Sequence, residues 1–120
     1  MLVLPNVLSD RGSRYAASGG AARDADDAAA FIKELKRNKK FAKATHNSWG
    51  LILADGTQLK GDDGEAGAGM VILRMLEREG LHDVIVVVTR WYGGKHLGGD
   101  RFRHVQSCVE AFLAQWRAGD

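Results

Sequence analysis

Val84-Ile85-Val86-Val87-Val88-Thr89-Arg90-Trp91-Tyr92-Gly93-Gly94 is the stretch on which the architecture turns. Its first five residues are β-branched, with no alternation of apolar and polar side chains. Such a run fits a central strand covered on both faces or nearly so, and belongs inside a sheet. Immediately upstream, Ala68 to Glu79 carries Met70, Val71, Ile72, Leu73, Met75 and Leu76 as a wide apolar band. That band predicts a buried helix closed by Gly80 in the left-handed conformation. Downstream, Phe102, Val105, Val109, Phe112 and Trp116 fall on one helical stripe, with Asp100 placed to cap it.

Further out the signals are shorter. Asn47 to Lys60 reads as a β-hairpin around Asp55-Gly56, a dipeptide suited to a two-residue turn. That turn sets Leu53 opposite Gln58 and Ile52 opposite Leu59, and brings His46 opposite Glu65 at the open end. Ala28, Phe31, Ile32 and Leu35 predict a helix over Asp26 to Lys40, with Asp24, Asp26 and Asp27 at its start. Ser13 to Ala17 is a weak strand candidate, separated from that helix by Gly19-Gly20. The expected order is strand, helix, hairpin, helix, strand, helix. If the second hairpin strand and the valine strand are parallel neighbours or near neighbours, their carboxyl ends open on one edge. Thr45-His46-Asn47, Asp62-Asp63-Gly64-Glu65 and Arg90-Trp91-Tyr92-Gly93-Gly94 then converge.

Composition bounds the class. The chain of 120 residues, 45% apolar and 27% charged, is read as a single domain, 1–120, and as neither disordered nor fibrous. No apolar run approaches the roughly 20 residues of a membrane helix. Met1 to Pro5 lacks the flanks of a secretory signal, and Cys108 stands alone, which together suggest a reducing, cytoplasmic setting. Charge is unevenly placed: Lys33, Lys36, Arg37, Lys39, Lys40 and Lys43 face only Glu34, whereas Asp62, Asp63 and Glu65 form an acidic turn.

The series Ala44-Thr45-His46-Asn47, Asp62-Asp63-Gly64-Glu65, Val86 to Gly94, Leu97-Gly98 and Asp100-Arg101-Phe102 resembles the IMPACT family in order and spacing, over roughly residues 13–117. Arg90-Trp91-Tyr92 and Asp100-Arg101-Phe102 look more like the eukaryotic members than the bacterial YigZ-like ones. The resemblance implies an α/β (α+β) two-layer sandwich similar to the second domain of ribosomal protein S5. A mixed four-stranded sheet is expected, with helices mainly on one face. In eukaryotic relatives this domain follows an RWD domain, of which this chain shows no sign. The whole protein there binds the large activator of the amino-acid-starvation kinase and restrains phosphorylation of a translation-initiation factor. The family supplies no catalytic residue to carry over.

Each motif admits two readings. Gly93, Gly94, Gly98 and Gly99 with Arg90, Lys95, Arg101 and Arg103 can cradle an anion or RNA backbone, or can be a turn that needs glycine for close approach. Asp62, Asp63 and Glu65 beside His46 suit a divalent cation or proton transfer, or simply pair with a helix N-terminus and with Arg90 or Arg101. His46, His82, His96 and His104 lack zinc spacing. Trp91 and Tyr92 point to opposite faces, so one is expected at the surface as an anchor or stacking ring, unless both pack under the glycine loop. The lysine run is a solvated face or a phosphate footprint. Cys108 reads as a half-buried thiol of the last helix.

The expectation is a cytosolic domain that binds a protein partner in translational control, with neither catalytic residues, cofactor nor metal. Its partner or anion surface comprises His46, Asn47, Asp62, Asp63, Glu65, Arg90, Trp91, Tyr92, Gly93, Gly94, Arg101 and Arg103. The alternatives are an RNA- or ribosome-binding module and an enzyme acting on a phosphorylated small molecule.

Overall fold

Arg11 and Gly12, both at positive φ (48° and 86°), make the two-residue turn that folds the chain's first strand onto its second. These are β1 (Leu2–Asp10) and β2 (Ser13–Ala21), paired antiparallel with Asp10 opposite Ser13. The computed structural model describes residues 1–119 and continues with α1 (Ala25–Leu35), α2 (Lys39–Ala42), β3 (His46–Ile52), β4 (Gln58–Gly61), α3 (Ala68–Glu79), β5 (Val84–Trp91) and α4 (Asp100–Ala118). The five strands form one sheet in the order β1-β2-β5-β3-β4.

The layered α/β class holds, but the sheet has five strands where four were expected, and every neighbouring pair is antiparallel rather than mixed. The extra strand is β1. Pro5 obscures it in the sequence, yet an edge strand tolerates proline, and the ladder shifts register between Leu4 and Leu8. The parallel relation does exist one strand apart: β4 and β5 both run antiparallel to β3, which lies between them, with α3 as the crossover.

Covering the valine strand on both faces requires helices on both faces: α3 and α4 share one, in keeping with helices mainly on one face, and α1 with the four-residue α2 covers the other. Val84, Val86 and Val88 pack with Tyr15, Ile72, Leu76, Val109 and Phe112 under α3 and α4. Ile85 and Val87 pack with Ala28, Phe31, Leu35 and Phe41 of α1 and α2. The period of two along β5 thus feeds two cores at once.

Three local expectations change. Gly19-Gly20 does not break β2: a Cβ at Gly19 would fall on the Phe112 ring and the Ile85 carbonyl, so glycine there lets α4 approach the sheet. The helix expected over Asp26 to Lys40 is two helices, because the Asn38 side chain accepts from Lys40 N–H at 3.0 Å and starts a new one. The hairpin is closed by three residues, not two. Leu53 N–H donates to Thr57 O at 2.8 Å, with Gly56 at φ 90°, so Leu51 faces Leu59 and Ile52 faces Gln58, one step from the expected register. Helix α3, by contrast, spans Ala68–Glu79 as read, with Gly80 at φ 64°.

Candidate functional site

On β5, the parity that sends Val86 and Val88 towards α3 and α4 also sends Arg90 there, at the strand's exit. Arg90 is 5% exposed, and a buried cation needs a counter-charge. Glu65, 4% exposed, supplies it: Arg90 Nη1 donates to Glu65 Oε1 at 2.9 Å. Nε and Nη2 of Arg90 donate to Ser13 Oγ at 3.4 and 3.3 Å, so the guanidinium is held between the acidic turn and the start of β2. The Tyr15 ring lies 5.8 Å from it on one side and the Tyr92 ring 5.7 Å from it. Burial pushes the Tyr15 phenol up to about 12, keeping it neutral beside the pair.

Glu65 is shared between two guanidiniums and an imidazole. Arg101 Nη1 approaches its Oε2 to 3.6 Å, and His46 Nε2 approaches the same oxygen to 3.5 Å. His46 Nδ1 lies 2.8 Å from the carbonyl oxygen of Asp63. A carbonyl only accepts, so Nδ1 carries a proton and Nε2 is the nitrogen turned towards Glu65.

The remaining acidic-turn residues serve the backbone. Asp62 accepts from Gly67 N–H at 3.1 Å and Gly69 N–H at 2.8 Å, capping α3 from outside, and these bonds hold its carboxyl below the usual range. Asp63, at φ 51°, accepts from Asn47 N–H at 2.7 Å and so ties the turn to β3. Among the described residues no group of three or more His, Cys, Asp and Glu side chains converges as a metal site.

Around the Glu65–Arg90 pair the surface opens into a groove of ≈ 540 Å³, walled by His46, Tyr92, His96, Arg101 and Phe102 and by the Leu97-Gly98-Gly99 segment. Five of the expected surface residues meet here: His46, Glu65, Arg90, Tyr92 and Arg101. Seven do not line it. Asn47 is buried, accepting from the Thr89 hydroxyl at 2.7 Å and donating to Phe41 O at 3.2 Å. Asp62 and Asp63 are engaged as above. Trp91 faces the opposite layer, edge-on to Phe41 with Nε1 donating to Lys40 O at 3.0 Å, so Tyr92, 42% exposed, is the surface aromatic. Gly93 is packed so closely on the Gly12 backbone that any Cβ would overlap it, which answers for one glycine of the loop by close approach. Gly94 has open space around it and lies outside the groove. Arg103 pairs with Asp100 at 3.1 Å on the outer side of α4.

Asp100 is the first residue of α4 rather than its cap. The cap position is Gly99, without a side-chain hydrogen bond, and the Asp100 carboxylate goes to Arg11 and Arg103. Thr45, Gly64, His96, Leu97 and Phe102 also line the groove without belonging to the expected surface, as do Gly98 and Gly99, expected only as part of an anion-cradling turn. Ser13, which anchors Arg90, carried no signal beyond its place at a strand start.

Fold and groove together define an α/β domain whose polar concavity lies at the carboxyl end of its central strand, between the acidic turn and the start of the last helix. A model of the Impact N-terminal domain matches residues 11–113, and the chain belongs to that family. It is 38% identical over 117 residues to the Protein IMPACT homolog of Caenorhabditis elegans, covering 90% of this chain and 45% of that protein. Against the Protein IMPACT homolog of Saccharomyces cerevisiae it is 39% identical over 118 residues, covering 93% and 45%. The chain therefore spans less than half the length of these relatives. Among solved structures, one described as a hypothetical protein superposes with a TM-score of 0.79 at 23% identity, over 94% of this chain and 60% of that one, a likeness of fold. A second, described as the two-domain translational regulator Yih1, superposes with a TM-score of 0.54 at 34% identity, over 88% and 43%.

Proposed function

We propose that this chain is a domain of a cytosolic translational regulator, and that it works by docking a protein partner in the groove between Tyr92 and Arg101 rather than by catalysis. Family membership and the likeness to a two-domain translational regulator support the regulatory role. The finer role implied by the resemblance, restraint of the amino-acid-starvation kinase through its large activator, is included in the proposal.

The observation that carries the docking reading is an exposed aromatic seated above a rigid, buried ion pair. Tyr92 offers amphipathic contact area, while Glu65 and Arg90 beneath it cannot move without stranding a charge. The same constraint weighs against catalysis: a general base must give up its partner to take a proton, and Glu65 faces Arg90, Arg101 and His46 together.

Affinity capture from extract with nuclease, comparing Tyr92→Ala and Arg101→Ala with Trp91→Ala, tests this reading. A translation-machinery protein retained by the parent and by Trp91→Ala, but lost by the two groove variants, is the expected result. Loss in Trp91→Ala alone would move the interface to the other layer.

A second reading has its own support on that other layer. Lys40 Nζ and Arg14 Cζ lie 5.3 and 5.7 Å from the Trp91 ring, which joins the lysine run of α1 and α2 to an aromatic face suited to an RNA base. RNA binding there would fall steeply with added salt.

A further inference from the structure

The groove's charge does not balance. One carboxylate, Glu65, faces two guanidiniums and the Nε2 edge of His46, with His96 on the far wall. Arg90 is held through all three of its nitrogens, which donate to Glu65 and Ser13. Arg101 is not. Its Nη1 stops 3.6 Å from Glu65, longer than a hydrogen bond, its side chain is 31% exposed, and its guanidinium lies 4.7 Å from the Phe102 ring centroid. A guanidinium stacked on a ring keeps its edge donors free for a planar, bidentate acceptor. The acidic groups that might have occupied it are engaged elsewhere: Asp100 with Arg11 and Arg103, Asp62 and Asp63 with backbone amides. Beside Arg101 the wall is Gly98 and Gly99, where even a Cβ would meet no atom within 4 Å, so a bulky tetrahedral group can come close.

We propose that the groove receives a dianionic phosphate monoester, carried on a phosphorylated side chain of the docked protein, with Arg101 leaving Glu65 to pair with it. The inference rests on the docking reading above and narrows it to one kind of partner. A single terminal dianion suits the site better than a nucleic-acid strand. The cations are gathered at one point, and the lysine run that would continue a backbone track lies on the opposite layer.

Amide and side-chain NMR signals of the labelled chain distinguish the cases, using inorganic phosphate, a phosphoserine peptide, its unphosphorylated form and single-stranded RNA as probes. The expected result is that phosphate and phosphopeptide move the same signals, those of Gly98, Gly99, Arg101 and His46, that the phosphopeptide binds more tightly, and that the unphosphorylated peptide is silent. Arg101→Ala should weaken the phosphopeptide by about tenfold or more while Arg101→Lys retains part of the affinity, with signals remote from the groove unchanged in both variants.

Equal response to the unphosphorylated peptide, shifts confined to the lysine-bearing layer, tighter binding of RNA at the same signals, or no response at all would each overturn the inference. The docking reading fails separately. If capture of the partner depends on Tyr92 and Arg101 but survives phosphatase treatment, docking stands and the phosphate does not.

Discussion

Glu65 and Arg90 form the residue pair on which the site depends, and their burial sets the size of the effects. Glu65→Gln leaves the Arg90 guanidinium buried opposite a neutral amide and should cost about 3–5 kcal/mol in chemical denaturation. Pairing it with Arg90→Met should recover part of that loss, since the second change removes the stranded charge. A double variant as unstable as the sum of the two would mean the side chains act separately. Gly93→Ala should destabilise by more than about 2 kcal/mol because the obstacle is the Gly12 backbone, whereas Gly99→Ala, with open space around it, should stay within about 1 kcal/mol. Acid sensitivity follows from two carboxylates. Hydrogen bonds from Arg11 first, then His104, hold Asp10 from 3.8 down to about 2, and the Gly67 and Gly69 amides lower Asp62. Both are folded-state depressions. Their stabilisation is complete above the ordinary carboxylate range and is lost as pH falls through the folded values, for Asp10 between about pH 4 and 2. Denaturation midpoints measured across that interval should fall less steeply in an Asp10→Asn, Asp62→Asn variant than in the parent.

At the scale of elements, legibility followed the strength of the local signal. Helix α3 was readable to the residue because an apolar band ends on a glycine in the left-handed region, and β5 because nothing but a doubly covered strand suits five β-branched residues in a row. Strand β1 was not readable: its proline and weak apolar pattern become a strand only through pairing with β2, a tertiary fact. The hairpin register slipped by one because Asp55-Gly56 serves equally in a two-residue turn or at the end of a three-residue loop, and the Leu53–Thr57 bond chooses the latter. Helix α1 was legible as a helix, but its face of the sheet was not credited with a core of its own. Phe31→Ala tests that core. If α1 seals the sheet as Ile85, Val87 and Leu51 suggest, the loss should be about 3–5 kcal/mol in thermal or chemical unfolding, far above a surface substitution.

Taken whole, the molecule gathers residues from five separate stretches at one rim: Ser13, His46, Glu65, Arg90 with Tyr92, and Arg101. The sequence named four of those five stretches, because motifs rich in charge and glycine stand out from a patterned background. It could not say which member of each motif faces the groove. That choice depends on strand parity at Trp91 and Tyr92, and on which carboxylate of the acidic turn is drawn off to cap α3. The described residues include no helix long and apolar enough to cross a membrane. Which layer of the sheet meets the partner is the question on which docking turns. A photo-crosslinking side chain placed at position 92, and in a second protein at position 91, would answer it in nuclease-treated extract. The account predicts a discrete protein adduct from position 92 that is abolished by Arg101→Ala and absent from position 91. An adduct from position 91 alone, or one from position 92 that persists in Arg101→Ala, would contradict it.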